Sequence, residues 1–123
     1  MEIQKINFTD DLDHLLLPVL NSDLEAIKHE VNNNISELWQ IDETSYSITR
    51  LENDHNGNPF ELVFIAGIGK NAHEAIELFI EKVKPMGVTK FRIHSHRIGM
   101  GRYLKSLGFT ESETVYKRVD CEQ

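Results

Sequence analysis

The apolar positions of this chain recur at helical spacing twice near its start and then tighten to the pattern of strands. Over residues 10–20, Leu12, Leu15, Leu16 and Val19 stand at i, i+3, i+4 and i+7, which predicts a helix. Pro18 falls inside that run, so the helix is expected to bend or end just before it. Ser22 followed by Glu25 reads as a capping box, after which Leu24, Ile27 and Val31 line one face of a second helix. Asn32, Asn33 and Asn34 stop it, because asparagine competes for helical hydrogen bonds and tolerates left-handed geometry. Residues 1–7 read as a short edge strand, and residues 35–41 fit a short helix or a strand equally.

Residues 44–52 have the β-branched and aromatic content of a strand. Residues 53–59 are dense in turn formers, with Asn56-Gly57 as the hairpin signal. Residues 60–66 are nearly all apolar, as in a strand covered on both faces. Residues 44–66 therefore predict an antiparallel hairpin. Gly67-Ile68-Gly69-Lys70 ends the second strand, and Asn71 with Glu74 gives another helix start. Ala75, Ile76, Phe79, Ile80 and Val83 form the stripe of a helix over 72–84, ended by Pro85-Met86-Gly87. The next strand, 88–94, puts Phe91 and Ile93 on one face and Arg92 and His94 on the other. Met100, Tyr103, Leu104 and Leu107 mark a short helix capped by Gly108, and residues 113–119 form a last strand. Strand 60–66, helix 72–84 and strand 88–94 make a crossover unit, so those strands should run parallel. The fold class expected is α/β: a mixed sheet flanked by helices, with a hairpin, a β-α-β crossover and a C-terminal helix-strand.

With 123 residues and 40% hydrophobic content, one domain over 1–123 with a modest core is expected. Cys121 is the one cysteine, which fits a reducing, intracellular setting. No apolar run nears the roughly 20 residues of a membrane span, and Met-Glu-Ile-Gln-Lys lacks the start of a signal peptide, so a cytoplasmic protein is expected. The net charge of −7 is unevenly spread: residues 1–61 hold 3 Lys/Arg against 13 Asp/Glu, and residues 62–123 hold 10 against 7. Residues 87–110 contain five cations and no acid. That predicts an electropositive region suited to a phosphate-bearing ligand or an acidic partner, unless the two halves pair with each other. The overall acidity, and the absence of aromatics interleaved with the cations, weigh against nucleic acid. His94 and His96 share a strand face, but no third ligand at zinc spacing accompanies them, so no metal is expected.

The stretch Thr89-Lys-Phe-Arg-Ile-His-Ser-His-Arg-Ile-Gly-Met-Gly-Arg-Tyr-Leu-Lys-Ser-Leu-Gly-Phe109, a strand and helix closing on Leu-Gly-Phe, resembles the end of acyl-CoA transferases of the GNAT superfamily. The resemblance is clearest over residues 60–118, and in overall pattern it extends to small, divergent members encoded by tailed phages. It implies acetyl-CoA as cofactor, its pyrophosphate held by Gly67, Ile68, Gly69, Lys70 and Asn71. Backbone N–H groups and a helix dipole favour an anion at such a loop. A tight turn plus cap explains the same residues. The family's loop opens with Gln or Arg where this chain has Phe64. Its usual thiolate acid, a Tyr four residues before the closing glycine, is Leu104 here, with Tyr103 one position earlier. The Asn common at the start of that helix is Arg97.

The resemblance leaves Tyr103 as a catalytic acid or a packing residue. It leaves Glu61 and His94 as bases that would take the proton when an amine attacks the thioester directly. Glu61 also reads as a solvated edge carboxylate, and His94 as a plain sheet-face histidine. Arg92, Arg97, Arg102 and Lys105 form a partner-binding set that fits the 3′-phosphate of CoA, RNA, an acidic protein surface, or simply water. Two functions follow. One is an acetyl-CoA-dependent N-acyltransferase, weak or inactive, acting on a small amine or a protein amine. The other is a non-catalytic protein of the same fold, for example a phage virion or assembly component, that uses the basic surface. A phage origin would place it in the host cytoplasm or the virion.

Overall fold

The computed structural model describes residues 3–72, 74–94, 100–112 and 115–120. The first leucine stripe folds as helix α1 (Asp13–Leu20), entered through a 3-10 turn over Asp10–Leu12. Leu12, Leu16 and Leu20 are buried. The helix does not end before Pro18, one of the two outcomes expected, but continues through it to Leu20. Pro18 and His14, four residues before it, are both exposed, so the missing bond falls on the solvent side. Helix α2 (Leu24–Asn32) follows a second 3-10 turn over Asn21–Asp23. The capping box expected at Ser22 does not form: Ser22 lies inside that turn, and no side chain caps either helix start. The asparagine run does stop α2, with Asn34 at φ 60. Asn32 also accepts the Phe8 N–H and donates to the Phe8 carbonyl, both at 3.1 Å.

Strands β1 (Gln4–Ile6), β2 (Glu37–Gln40) and β3 (Tyr46–Asn53) pair antiparallel in that order. The ambiguous segment 35–41 is thus a strand, because ladders on both sides satisfy its backbone. Leu38, Tyr46 and Ile48 join Phe8, Leu12, Leu16, Leu20, Ile27 and Val31 in one apolar core. The intervening β3 residues, Ser47 and Thr49, are buried too. Thr49 accepts the Trp39 indole N–H at 2.8 Å and donates to Glu37 at 3.3 Å.

Asp54 closes the turn after β3 by accepting the N–H groups of Asn56 and Asn58. Strand β4 (Pro59–Ile68) follows, and Leu62, Val63 and Phe64 are buried in succession, as expected of a strand covered on both faces. Helix α3 (Ile76–Val83) begins later than the expected residue 72. The asparagine expected to cap it is bonded elsewhere, as described below. Strand β5 (Lys90–His94) runs parallel to β4, from Glu61 opposite Lys90 to Phe64 opposite Ile93. Helix α4 (Met100–Ser106) leads into a hairpin of β6 (Thr110–Ser112) and β7 (Val115–Val119), where one strand over 113–119 was expected. Thr-Glu-Ser has no apolar alternation to announce β6. Strand β7 pairs antiparallel with β5. Among the described residues the hydrogen-bonded order is β1-β2-β3-β4-β5-β7-β6, a mixed sheet.

By internal packing the chain forms two units, residues 1–50 with 65–75, and residues 51–64 with 76–123. In the second unit, Phe64 meets Phe79 edge-on at 6.0 Å, beside buried Leu62, Ile80, Phe91 and Ile93. In the first unit the link between β2 and β3 is a tight turn, closed by Ile41 N–H to Ser45 O at 2.9 Å. Asp42 Oδ1 accepts the Thr44 N–H at 2.9 Å, an Asx turn. Asp42 Oδ2 accepts the Asn71 side-chain amide at 2.6 Å, tying residue 71 to this turn. The Asn71 amide and the Thr44 N–H outweigh desolvation and hold the Asp42 carboxyl well below its ordinary 3.8, at about 2.

Two outcomes follow. A carboxyl whose value is depressed on folding contributes stability above its unfolded value and loses it as pH falls through the folded one. The gap in urea midpoint between the wild type and Asp42→Asn should be full near neutral pH and close between about pH 4 and pH 2; a gap independent of pH would contradict the bonding described. The second concerns Gly57 and Gly69, both at positive φ. A Cβ on Gly57 meets nothing within 4 Å, whereas one on Gly69 would lie 2.3 Å from the Thr44 carbonyl oxygen. Gly57→Ala should cost about 1–2 kcal/mol, and Gly69→Ala at least roughly 2 kcal/mol more, since backbone would have to move, as read by thermal melts.

Candidate functional site

The loop that ends β4 carries the Gly-x-Gly pattern, and its conformation is set by the turn at 41–45. Gly69 presses directly against the Thr44–Ser45 backbone. The Asn71 N–H donates to Ser45 Oγ at 3.1 Å, and the Ala72 N–H reaches back to the Gly69 carbonyl at 3.4 Å. One helical bond, Ala75 N–H to Asn71 O at 3.2 Å, precedes α3. Lys70 is exposed. The loop therefore stands where an anion-binding loop would, with glycines and a cation in place. Its donors at Asn71 and Ala72 are already bonded, and a carboxylate, Asp42, sits on it. The residues expected to hold a pyrophosphate group thus have two N–H groups already bonded and a carboxylate beside them.

Phe64, three residues before Gly67, is buried in the second unit's core and offers no polar contact. Helix α4 ends in a Schellman arrangement: Phe109 N–H bonds Leu104 O at 3.0 Å and Gly108 N–H bonds Lys105 O at 3.1 Å. Leu104 and Phe109 are the apolar pair that accompanies it, at 0% and 2% exposure. Tyr103 is half-buried on the same helix, one residue round from Leu104.

Glu61 and Arg92, read from sequence into different roles, face each other in the ladder's neighbourhood. Arg92 Nη2 lies 3.4 Å from Glu61 Oε1, with the side chains 29% and 16% exposed. The carboxylate proposed as a base is thus already matched to a guanidinium. Arg92 Nε is buried with no hydrogen-bond partner. Lys90 lies over the Phe60 ring at 5.8 Å. From Glu61 to Gly67 is six residues of strand, roughly 20 Å at the usual rise. His94 ends β5, and Arg102 lies within α4; their side chains are outside what the structure describes, as is Arg97 altogether. Lys105 is exposed. Among the described residues no three His, Cys, Asp or Glu side chains converge to hold a metal ion, and no helix is long and apolar enough to cross a membrane.

Sequence reading missed Asp42 and Ser45. The Asp-x-Thr pattern of an Asx turn was visible at 42–44, but nothing in it points to a partner at residue 71.

No protein-family model matches the chain, and no curated protein sequence matches it. Solved structures do. The chain is similar to the aminoglycoside 6'-N-acetyltransferase from Enterococcus faecium at 7% identity and TM-score 0.66, covering 100% of this chain and 99% of that one. It is similar to an acetyltransferase of the GNAT family from Staphylococcus aureus Mu50 at 15% identity and TM-score 0.58, covering 96% and 99%. It is also similar to AtaTR bound with AcCoA, at 16% identity and TM-score 0.58, covering 96% and 92%. At such identities the likeness is one of fold. Together with the mixed sheet, the parallel β4–β5 pair and the flanking helices, it shows that the chain has the fold of the GNAT acetyltransferases.

Proposed function

We propose that this chain is a divergent GNAT-fold protein whose acetyl-CoA-dependent N-acyl transfer is weak or lost. The observation that carries the reading is Leu104. At the position where the resemblance expects the acid, the chain has a fully buried leucine locked into the end of α4. No rotamer change can supply a proton there. Glu61 is matched to Arg92, so a free base is not evident among the described residues either. Acetyl-CoA as the ligand is supported by the glycine loop's place after β4 and by the neighbour solved with AcCoA. Its acceptor, if transfer occurs, belongs to the class of small or protein amines. Tyr103 and His94 stay assigned as the acid and base of any residual activity.

A second reading is a non-catalytic structural or interaction protein, such as a phage virion or assembly component. It is favoured by the conversion of both diagnostic positions, Phe64 and Leu104, into core residues. Its interaction surface would be built from Arg97, Arg102 and Lys105.

Three measurements separate these readings. Acetyl-CoA at a few millimolar should raise the melting temperature by roughly 2–5 °C, as linkage requires for a millimolar ligand. Thiol release with amine acceptors should be slow or absent. No shift in a well-folded sample removes the cofactor, and rapid turnover removes the claim of weak catalysis. The pair Arg97→Glu with Arg102→Glu should abolish co-purification with a partner if the second reading holds; an unchanged set of co-purifying proteins would reject it.

A further inference from the structure

The hydrogen bonds around the glycine loop converge on one charge. Asp42 Oδ1 accepts the Thr44 N–H at 2.9 Å and the Thr44 hydroxyl at 3.3 Å, and Asp42 Oδ2 accepts the Asn71 amide at 2.6 Å. The Asn71 N–H is held by Ser45 Oγ, one turn residue away. Gly69, where a glycine would let a ligand approach, is instead met by the Thr44–Ser45 peptide. Loops of this kind hold anions by such N–H groups. Here the Asn71 and Ala72 N–H groups are occupied by Ser45 Oγ and the Gly69 carbonyl, and a negative charge of the chain itself is tied to the loop through the Asn71 side chain. Glu43 and Glu74, both exposed, add acid near it in sequence, against the single cation Lys70.

We propose that Asp42, tied to the loop through the Asn71 side chain, opposes polyphosphate ligands at Gly67–Asn71 and weakens their binding. The proposal rests on the cofactor reading in taking this loop as the pyrophosphate site, and deepens it by naming the residue that opposes binding. An incoming pyrophosphate would face a carboxylate fixed in place by three hydrogen bonds, and to dock it would have to displace the Ser45 and Asp42 contacts of Asn71. Asp42 acts here as a specificity-determining residue, selecting against dense negative charge.

The test is calorimetric titration of inorganic pyrophosphate, and separately of acetyl-CoA, into the full-length protein at neutral pH. The proteins compared are the wild type, Asp42→Asn and Asp42→Ser; serine can still accept the Thr44 N–H. Asp54→Asn, in the turn after β3, removes an equal charge elsewhere. Both Asp42 variants should bind pyrophosphate at least about tenfold more tightly than the wild type, a shift of roughly 1.4 kcal/mol, while Asp54→Asn should not. Unchanged affinity in the Asp42 variants, or an equal gain in Asp54→Asn, overturns the proposal. In the wild type itself, millimolar pyrophosphate should leave the Asn71 side-chain amide resonances in place; a shift there at lower concentration overturns it without any variant. Tighter pyrophosphate with no acetyl-CoA binding in any protein would keep the role of Asp42 and sink the cofactor reading. Tight acetyl-CoA binding by the wild type, unaffected by Asp42→Asn, would do the reverse.

Discussion

One ten-residue strand, β4, opens the parallel crossover, and the elements that follow it answer to that demand. Residues 59–64 belong to one unit and residues 65–68 to the other. Over Leu62, Val63 and Phe64 the strand is buried on both faces, as a strand with a parallel neighbour and helices around it requires. Its parallel partner has to come from a crossover, since parallel neighbours cannot be joined by a tight turn. The helix α3 and the strand β5 are that crossover. The glycine loop is what lets β4 stop and hand over to it.

At residues 64 and 104 the packing suits apolar side chains. Phe64 gains an edge-on contact with Phe79 in place of a polar side chain. Leu104 gains complete burial at the end of α4, beside Phe109. A phenol at residue 104 would need a hydrogen-bond partner in that apolar setting or would leave its oxygen unsatisfied. Each replacement therefore suits a packed core better than the polar group the resemblance leads one to expect. Stability and catalysis pull these positions in opposite directions.

What could be read from sequence follows from the range of the interactions involved. The apolar run at 60–66, the Asn56-Gly57 turn and the stripe over residues 75–83 are local signals, and the strands and helix they imply are present. The parallel β4–β5 pairing followed from connectivity alone, and the register is observed. The misreadings fall where a local signal was outbid by a distant partner. Asn71 carries a cap signature, yet its side chain is drawn to Asp42, 29 residues away. Ser22 has the right spacing from Glu25, yet the chain coils into a 3-10 turn before α2. Strand β6 exists because β7 pairs with it, and Thr-Glu-Ser says nothing of that in advance. For the candidate site, the loop's place after β4 was legible and its tie to Asp42 through Asn71 was not.

Charge counting shows the same limit from another side. The last third of the chain is rich in cations, and several of them are paired with acids or lie over aromatic rings. Arg92 is matched to Glu61, and Lys90 lies over Phe60. Arg118 lies over the Phe91 ring at 5.4 Å and bonds Asp120 at 2.8 Å. These contacts use guanidinium and ammonium groups as packing pieces, their apolar stems and flat faces covering core aromatics. Among the described residues, Lys105 is exposed on α4.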